Sequence, residues 1–219
     1  MRKIIPFIVF ILLNVLFTSA QNIIDADTKM ARQLVSDNSA TIGIPVEILN
    51  SAIVSSTFED PATHIRYVYL QQTYMDIAVH NQMQVFSFRN GKMLSNSGNF
   101  DPAIVKLVST GSFMPSVSAE SAVQSALSDR GMHPTQMAIA LNRKDNGRFV
   151  EFSNMGVSQE NITAKLNWMP NEKTKKYDLA WQVYVIPKTT PDYWLVQVDA
   201  FNSSILGMDI LTVYDNWGS

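Results

Sequence analysis

Hydrophobic and polar positions along this chain recur in two periods, and the switches between them mark its elements. From Asp27 to Asp37, Met30, Ala31, Leu34 and Val35 fall at helical spacing, predicting a helix that Asn38-Ser39, Gly43 and Pro45 bring to an end. Pro45 to Asn50 allows one further turn, and the β-branched run Ile53 to Phe58 reads as a strand. Two longer strands follow, His64 to Tyr74 and Ile77 to Arg89. The first carries apolar residues on both faces. The second alternates through Ile77, Val79, Met83 and Val85, then changes phase at Phe86 and Phe88, which points to a bulge. Asn90-Gly91 is a strong hairpin signal, because a type I′ turn needs positive φ at both central residues. Lys92 to Asn96 returns as its partner strand.

Phe100 to Pro115, with Pro102, Gly111 and Pro115, reads as a connector. A second helix starts at Ser118. Its hydroxyl suits the orphan amides of the first turn, Glu120 suits the positive end of the dipole, and Gly131 supplies the stop. Ala119, Ala122, Val123, Ala126 and Leu127 form one apolar face, small enough for close packing on a sheet. Alternation then returns in Ala164, Leu166 and Trp168, in Tyr177 to Val185, in Trp194 to Ala200, and in Ile205 to Thr212 after a tight turn at Asn202 to Ser204. These four strands read as an antiparallel meander with one dry face for the helix. The expected fold class is α+β, two helix-on-antiparallel-sheet units at 21–100 and 118–215, joined by a connector at 101–117.

The N-terminus belongs to targeting rather than to the fold. Arg2 and Lys3 precede an apolar run from Ile4 to Phe17, and Thr18-Ser19-Ala20 supplies small residues before cleavage between Ala20 and Gln21. The run is shorter than a membrane-spanning helix needs, so no stable membrane anchor is expected after cleavage. Without Arg2 and Lys3 the chain holds 15 basic and 19 acidic residues, a net charge of -4 that argues against nucleic acid as a partner. The basic cluster Lys173, Lys175 and Lys176 reads as a solvated hairpin loop. There is no cysteine, which removes thiol catalysis and cysteine-ligated metals. Export without disulfides leans toward a secreted or cell-envelope protein of a bacterium.

Candidate chemistry is sparse. The three histidines, His64, His80 and His133, lie far apart in sequence, and none sits in a His-Glu-x-x-His arrangement, which puts two zinc ligands and a carboxylate on one helix face. There is no Gly-x-Ser-x-Gly elbow and no glycine-rich phosphate loop. Asp199, Asp209 and Asp215 read as turn and strand-end residues, or as a loose cation site. The expectation is a chain that is not an enzyme and binds no cofactor or metal. Trp168, Trp181 and Trp194 recur at equal spacing on consecutive strands, either as core residues over the dry face or as an aromatic platform; burial favours the core.

Six segments carry a resemblance to a known family. His64-Ile-Arg-Tyr67 through Gln71-Gln72, Asp76-Ile-Ala-Val79 and Phe88-Arg-Asn-Gly91-Lys resemble the fungalysin/thermolysin propeptide (FTP) motif. Leu166-Asn-Trp168, Leu179-Ala-Trp181-Gln-Val183 and Val198-Asp199-Ala200 resemble the PepSY-like second half of the same pro-region. Where that family usually has Thr-Gly, this chain has Phe201-Asn202, with Asn202 expected in the left-handed conformation. The resemblance implies the pro-region of a secreted zinc metallopeptidase of the M36 type, a chaperone and inhibitor that docks over the peptidase cleft. The alternative is a free-standing envelope or extracellular inhibitor acting in trans. In the pro-region reading, the tail at 216–219 would lead toward a peptidase domain that this sequence does not contain. Asp215, Asn216 and Trp217, with the meander edge, are the expected contacts to the peptidase.

Overall fold

A computed structural model describes residues 26–109 and 112–212. The cleavage site at Ala20 and Gln21 and the tail contacts Asp215, Asn216 and Trp217 lie outside the described residues. The described residues divide into two compact units, one taking 26–73 and 81–102 and the other 74–80, 103–109 and 112–212. Both combine helices with a sheet, so the fold class is α+β.

In the first unit, helix α1 (26–37) is followed by the short helices α2 (Ser39–Ile42) and α3 (Val46–Ser51). Strands β1 (Ile53–Asp60), β2 (Ile65–Tyr74), β3 (Ile77–Arg89) and β4 (Lys92–Gly98) lie in that order across the sheet. Ala31 and Val35 of α1, Ile42, Leu49 and Ala52 close over Val68, Leu70, Phe86 and Phe88 to make the core. The hairpin forms where Asn90-Gly91 predicts it, with φ of 51° and 76°. Asn38 then fastens helix to hairpin. Its side-chain amide donates to Leu34 O (2.8 Å) and Gly91 O (3.0 Å), and its Oδ1 accepts from Met93 N (3.0 Å).

The phase change along β3 has a specific cause. Ile77 and Val79 point into the core of the second unit, Phe86 and Phe88 into that of the first. The change falls around Asn81, whose φ is 58°, at the boundary between the two units. A further register shift against β4 lies between Ser87 and Phe88. The apolar phase therefore changes earlier than Phe86, at the residue where the strand passes from one unit to the other.

In the second unit, helix α4 (Ile104–Leu107) occupies what the sequence reads as connector, and α5 (Ala119–Asp129) follows. Ser118 caps α5, its Oγ accepting from Ser121 N at 3.2 Å. At the other end Met132 N returns to Leu127 O (2.8 Å) and Gly131 N to Ser128 O (3.0 Å), satisfying carbonyls that the helix leaves open. Strands β5 (Ala140–Lys144), β6 (Phe149–Phe152), β7 (Ile162–Asn171), β8 (Lys176–Val185), β9 (Trp194–Asp199) and β10 (Ile205–Ile210) pair in chain order. The apolar face of α5 joins Leu166, Trp168, Trp181, Val183 and Val196 in one core.

Three expectations need correction. The meander has six strands rather than four, because β5 and β6 are short and their alternation is weak. The sheets are not purely antiparallel: the start of β3 runs parallel to β7, with Val79 opposite Trp168. A parallel neighbour of this kind depends on a long crossover, here the chain from β4 through β6, and leaves no local trace. Nor is only one face of the second sheet dry, since Asn167, Met169, Ala180, Gln182 and Leu195 are also buried.

Candidate functional site

The motif residues occupy structural posts. Trp168 and Trp181 are almost fully buried, and each indole N–H finds a backbone carbonyl, Trp168 donating to Tyr74 O (3.0 Å) and Trp181 to Val117 O (2.8 Å). Tryptophan is buried without penalty only when that nitrogen is satisfied. Trp194 differs: it sits half-buried at the core's rim, and its buried Nε1 finds no hydrogen-bond partner among the described residues. None of the three forms an exposed platform.

Asp199 and Ala200 make the corner between β9 and β10. The Asp199 carboxylate accepts from Phe201 N (2.7 Å) and Asn202 N (3.0 Å), and Ala200 O accepts from Ser116 N and Val117 N, both at 2.9 Å. The left-handed residue of this turn is Ser203 (φ 64°), not Asn202. Asn202 instead accepts the Ser204 N–H on its Oδ1 at 2.8 Å. An Asn side chain that stabilises the turn from outside frees its own backbone from the strained region.

In the first unit, Tyr67 stacks on Phe58 with ring centroids 5.1 Å apart. Gly91 is the second turn residue of the hairpin, and Gln71 donates to Gln82 O at 2.9 Å. Its neighbour Gln72, fully buried, does more. Gln72 donates to Asp101 O (2.7 Å) and accepts from Asp101 N (2.8 Å), closing a reciprocal pair that anchors the exit from β4. A glutamine in a strand gives no sign in sequence that its partner is a backbone so distant. His64 lies in the turn before β2, exposed, with Glu59 3.5 Å from its Nδ1.

The second sheet's other face holds a polar cluster. Gln182, buried, accepts from the Asn167 amide and donates to His80 Nδ1 at 2.7 Å and to Met169 Sδ at 3.1 Å. An amide donor at Nδ1 requires that nitrogen to be unprotonated, so His80 is held as the neutral imidazole. Burial pushes its pKa down; Asp209 opposes this and Lys165 reinforces it. A neutral amide orients the ring but takes no proton from it. Asp209 itself is held by Gln197 Nε2 at 2.9 Å. Among the described residues no group of three or more His, Asp or Glu is placed to hold a metal ion, and no helix is long and apolar enough to cross a membrane.

This geometry has a pH consequence. Below the ordinary histidine pKa near 6.5 the unfolded chain binds a proton at position 80 that the folded chain refuses, so acid favours unfolding. The loss grows as the pH falls from about 6.5 toward the lowered folded value and then levels off. Urea midpoints measured between neutral and mildly acid pH should fall less steeply for His80→Gln than for the wild type. Parallel slopes would show that His80 is free to protonate in the fold.

The C-terminal edge is the surface that the sequence singles out and the structure describes in part. Among the described residues, β10 pairs only with β9 and ends the strand order. Leu211 N donates to Tyr193 O (2.8 Å), so strand alternation aims the backbone groups of Met208 and Ile210 toward the open edge. A bulge at Leu206 interrupts the register, and Leu206, Ile210 and Leu211 are exposed.

The fold and these surfaces define an α+β protein of two helix-and-sheet units, with a packed tryptophan core in the second and an open, partly apolar strand edge near its end. No family model matches the chain, and no curated protein matches it in sequence. Among solved structures it is similar to the Bacillus megaterium YpeB C-terminal domain, at a TM-score of 0.37 and 10% identity over 81% of this chain. The match spans 64% of that domain's chain.

Proposed function

We propose that this chain is an exported, non-catalytic module of the pro-region type, which binds an M36-type zinc metallopeptidase and blocks its cleft. The observation that carries the reading is the β10 edge, where outward backbone groups stand beside exposed Leu206, Ile210 and Leu211. An open edge with apolar side chains accepts an extended segment of another protein as an added strand. The motif residues quoted above suggest the kind of partner. Binding the folded peptidase in preference to its unfolded chain would also favour its folding by mass action.

The test adds the purified protein to several M36-type peptidases. Inhibition at micromolar or lower concentration is expected, and Leu206→Asp should weaken it at least tenfold, while circular dichroism stays unchanged. Absence of inhibition across those enzymes would overturn the reading, as would cleavage of casein by this chain alone with stoichiometric zinc.

A further inference from the structure

The polar face of α1 meets the end of α3 over a cavity of about 520 Å³, lined by Thr28, Lys29, Arg32, Gln33 and Ser36 of α1 and by Asn50 of α3. Every lining side chain is polar, and both charged ones are cations. Thr28, Arg32 and Ser36 follow one another at four-residue spacing, so they align in a stripe along the helix. The side chains of Thr28, Ser36 and Asn50 make no hydrogen bond to another described residue.

Arg32 is the half-buried member of the group. Its Nη1 donates to Leu49 O (3.2 Å) and its Nη2 to Ala52 O, both carbonyls at the end of α3. These bonds fix the guanidinium plane. They leave Nε–H and the second hydrogen of each terminal nitrogen without a partner among the described residues. No carboxylate among those residues pairs with Arg32: Asp27 is held by Arg66 (3.1 Å) and Asp37 by the Gln33 amide (2.7 Å). Burial pushes the arginine below its ordinary pKa, and no acidic neighbour opposes the shift. The α3 carbonyls satisfy donors but bring no counter-charge, and a desolvated cation is costly until one arrives.

We propose that this cavity binds a small oxyanion, a phosphate or carboxylate group seated on the Arg32 guanidinium. A planar fork takes two oxygens of such a group at once, in charge-assisted bonds stronger than neutral ones. Because α3 already holds the fork in place, little side-chain freedom is lost on binding. The Thr28 and Ser36 hydroxyls and the Asn50 amide supply further donors from the cavity wall. A cationic ligand is repelled by Arg32 and Lys29, and an uncharged one leaves the guanidinium uncompensated. The volume also leaves room for the organic part of a larger anion.

Amide chemical shifts of the isotope-labelled protein, followed during titration with inorganic phosphate or with acetate at constant ionic strength, test the site. Residues around Arg32 and Asn50 should shift and saturate, with a Kd on the order of 1 mM for the tighter anion, which tells phosphate from carboxylate. Arg32→Gln should abolish the response. That change also releases the α3 carbonyls, so Ser36→Asp supplies a second variant. It sets a carboxylate one turn from Arg32 at an exposed position and leaves the bonds to Leu49 and Ala52 intact. Binding should weaken roughly tenfold or more, with an unchanged circular dichroism spectrum. Shifts that never saturate, that sodium chloride alone reproduces, or that persist undiminished in either variant would overturn the proposal.

Discussion

Trp168→Ala is expected to cost the second unit about 3–5 kcal/mol, the range for emptying a large aromatic from a core. Trp168 is 1% exposed, packs at 5.8 Å from the ring of Tyr74, and lies opposite Val79 in the parallel pair. Its removal leaves a cavity among side chains that meet there from α5, β7, β8 and the start of β3. It also strands the Tyr74 carbonyl, which accepts the indole N–H. Against a typical total of about 5–15 kcal/mol, that loss is about a fifth or more of the stability. Trp168→Phe separates the two contributions, keeping a ring while removing the donor, and should cost about 1–3 kcal/mol for the unsatisfied carbonyl plus some lost packing. Denaturant midpoints followed by far-ultraviolet circular dichroism would read both. A loss below about 1 kcal/mol for the alanine variant would mean that Trp168 is not packed as described.

Gly98→Ala should be the most costly change of comparable size in the first unit. A Cβ at Gly98 would stand 2.3 Å from the Met83 carbonyl oxygen and 2.7 Å from the Gln84 Cα, with φ at +156°. Backbone cannot move aside as a side-chain end can, and this site is fastened. Asn99 donates from its backbone to Met83 O (3.0 Å) and from its side chain to Asn81 O (2.7 Å), and its Oδ1 accepts from Met83 N (3.1 Å). Strain and overpacking together should cost about 2–4 kcal/mol. Gly91→Ala supplies the comparison: its φ is +76° but nothing lies within 4 Å of the added carbon. It should lose only the left-handed penalty of about 1–2 kcal/mol. Thermal midpoints that rank the two variants in the opposite order would show that β4 can shift away from β3.

How much of this was legible depends on the range of the contact concerned. The α5 helix was readable from Ser118 to Gly131 because cap, apolar face and stop are all fixed within a few residues. Asn90-Gly91 was readable for the same reason, its turn being decided by two φ angles. The polar tip of the β7–β8 hairpin followed from alternation alone. By contrast, the turn after Ala200 misled at Asn202. Asparagine both tolerates the left-handed region and stabilises turns from its side chain, and only the geometry shows which it does. Gln71 drew attention through its motif while Gln72 carries the buried pair, because the partner, Asp101, is remote in sequence. β5 and β6 escaped notice since their residues alternate weakly and their pairing, not their composition, makes them strands.

The candidate surfaces divide in the same way. The open edge at β10 was foreseeable as the end of a meander, although Asp215, Asn216 and Trp217 lie outside the described residues. The exposure of Met137, Ile139 and Leu141 was not, because it depends on where the fold leaves that segment.

By itself, then, the sequence determined α1, α5, the hairpin, the last four strands and the α+β class, because periodicity, caps and turn residues act over a few positions. Tertiary structure alone decided where β3 changes core, that its start lies parallel to β7, and that both faces of the second sheet are buried. It also decided that His80 is held neutral by Gln182. Each of these depends on groups brought together from distant parts of the chain, and the burial that fixes them exists only once the chain has folded.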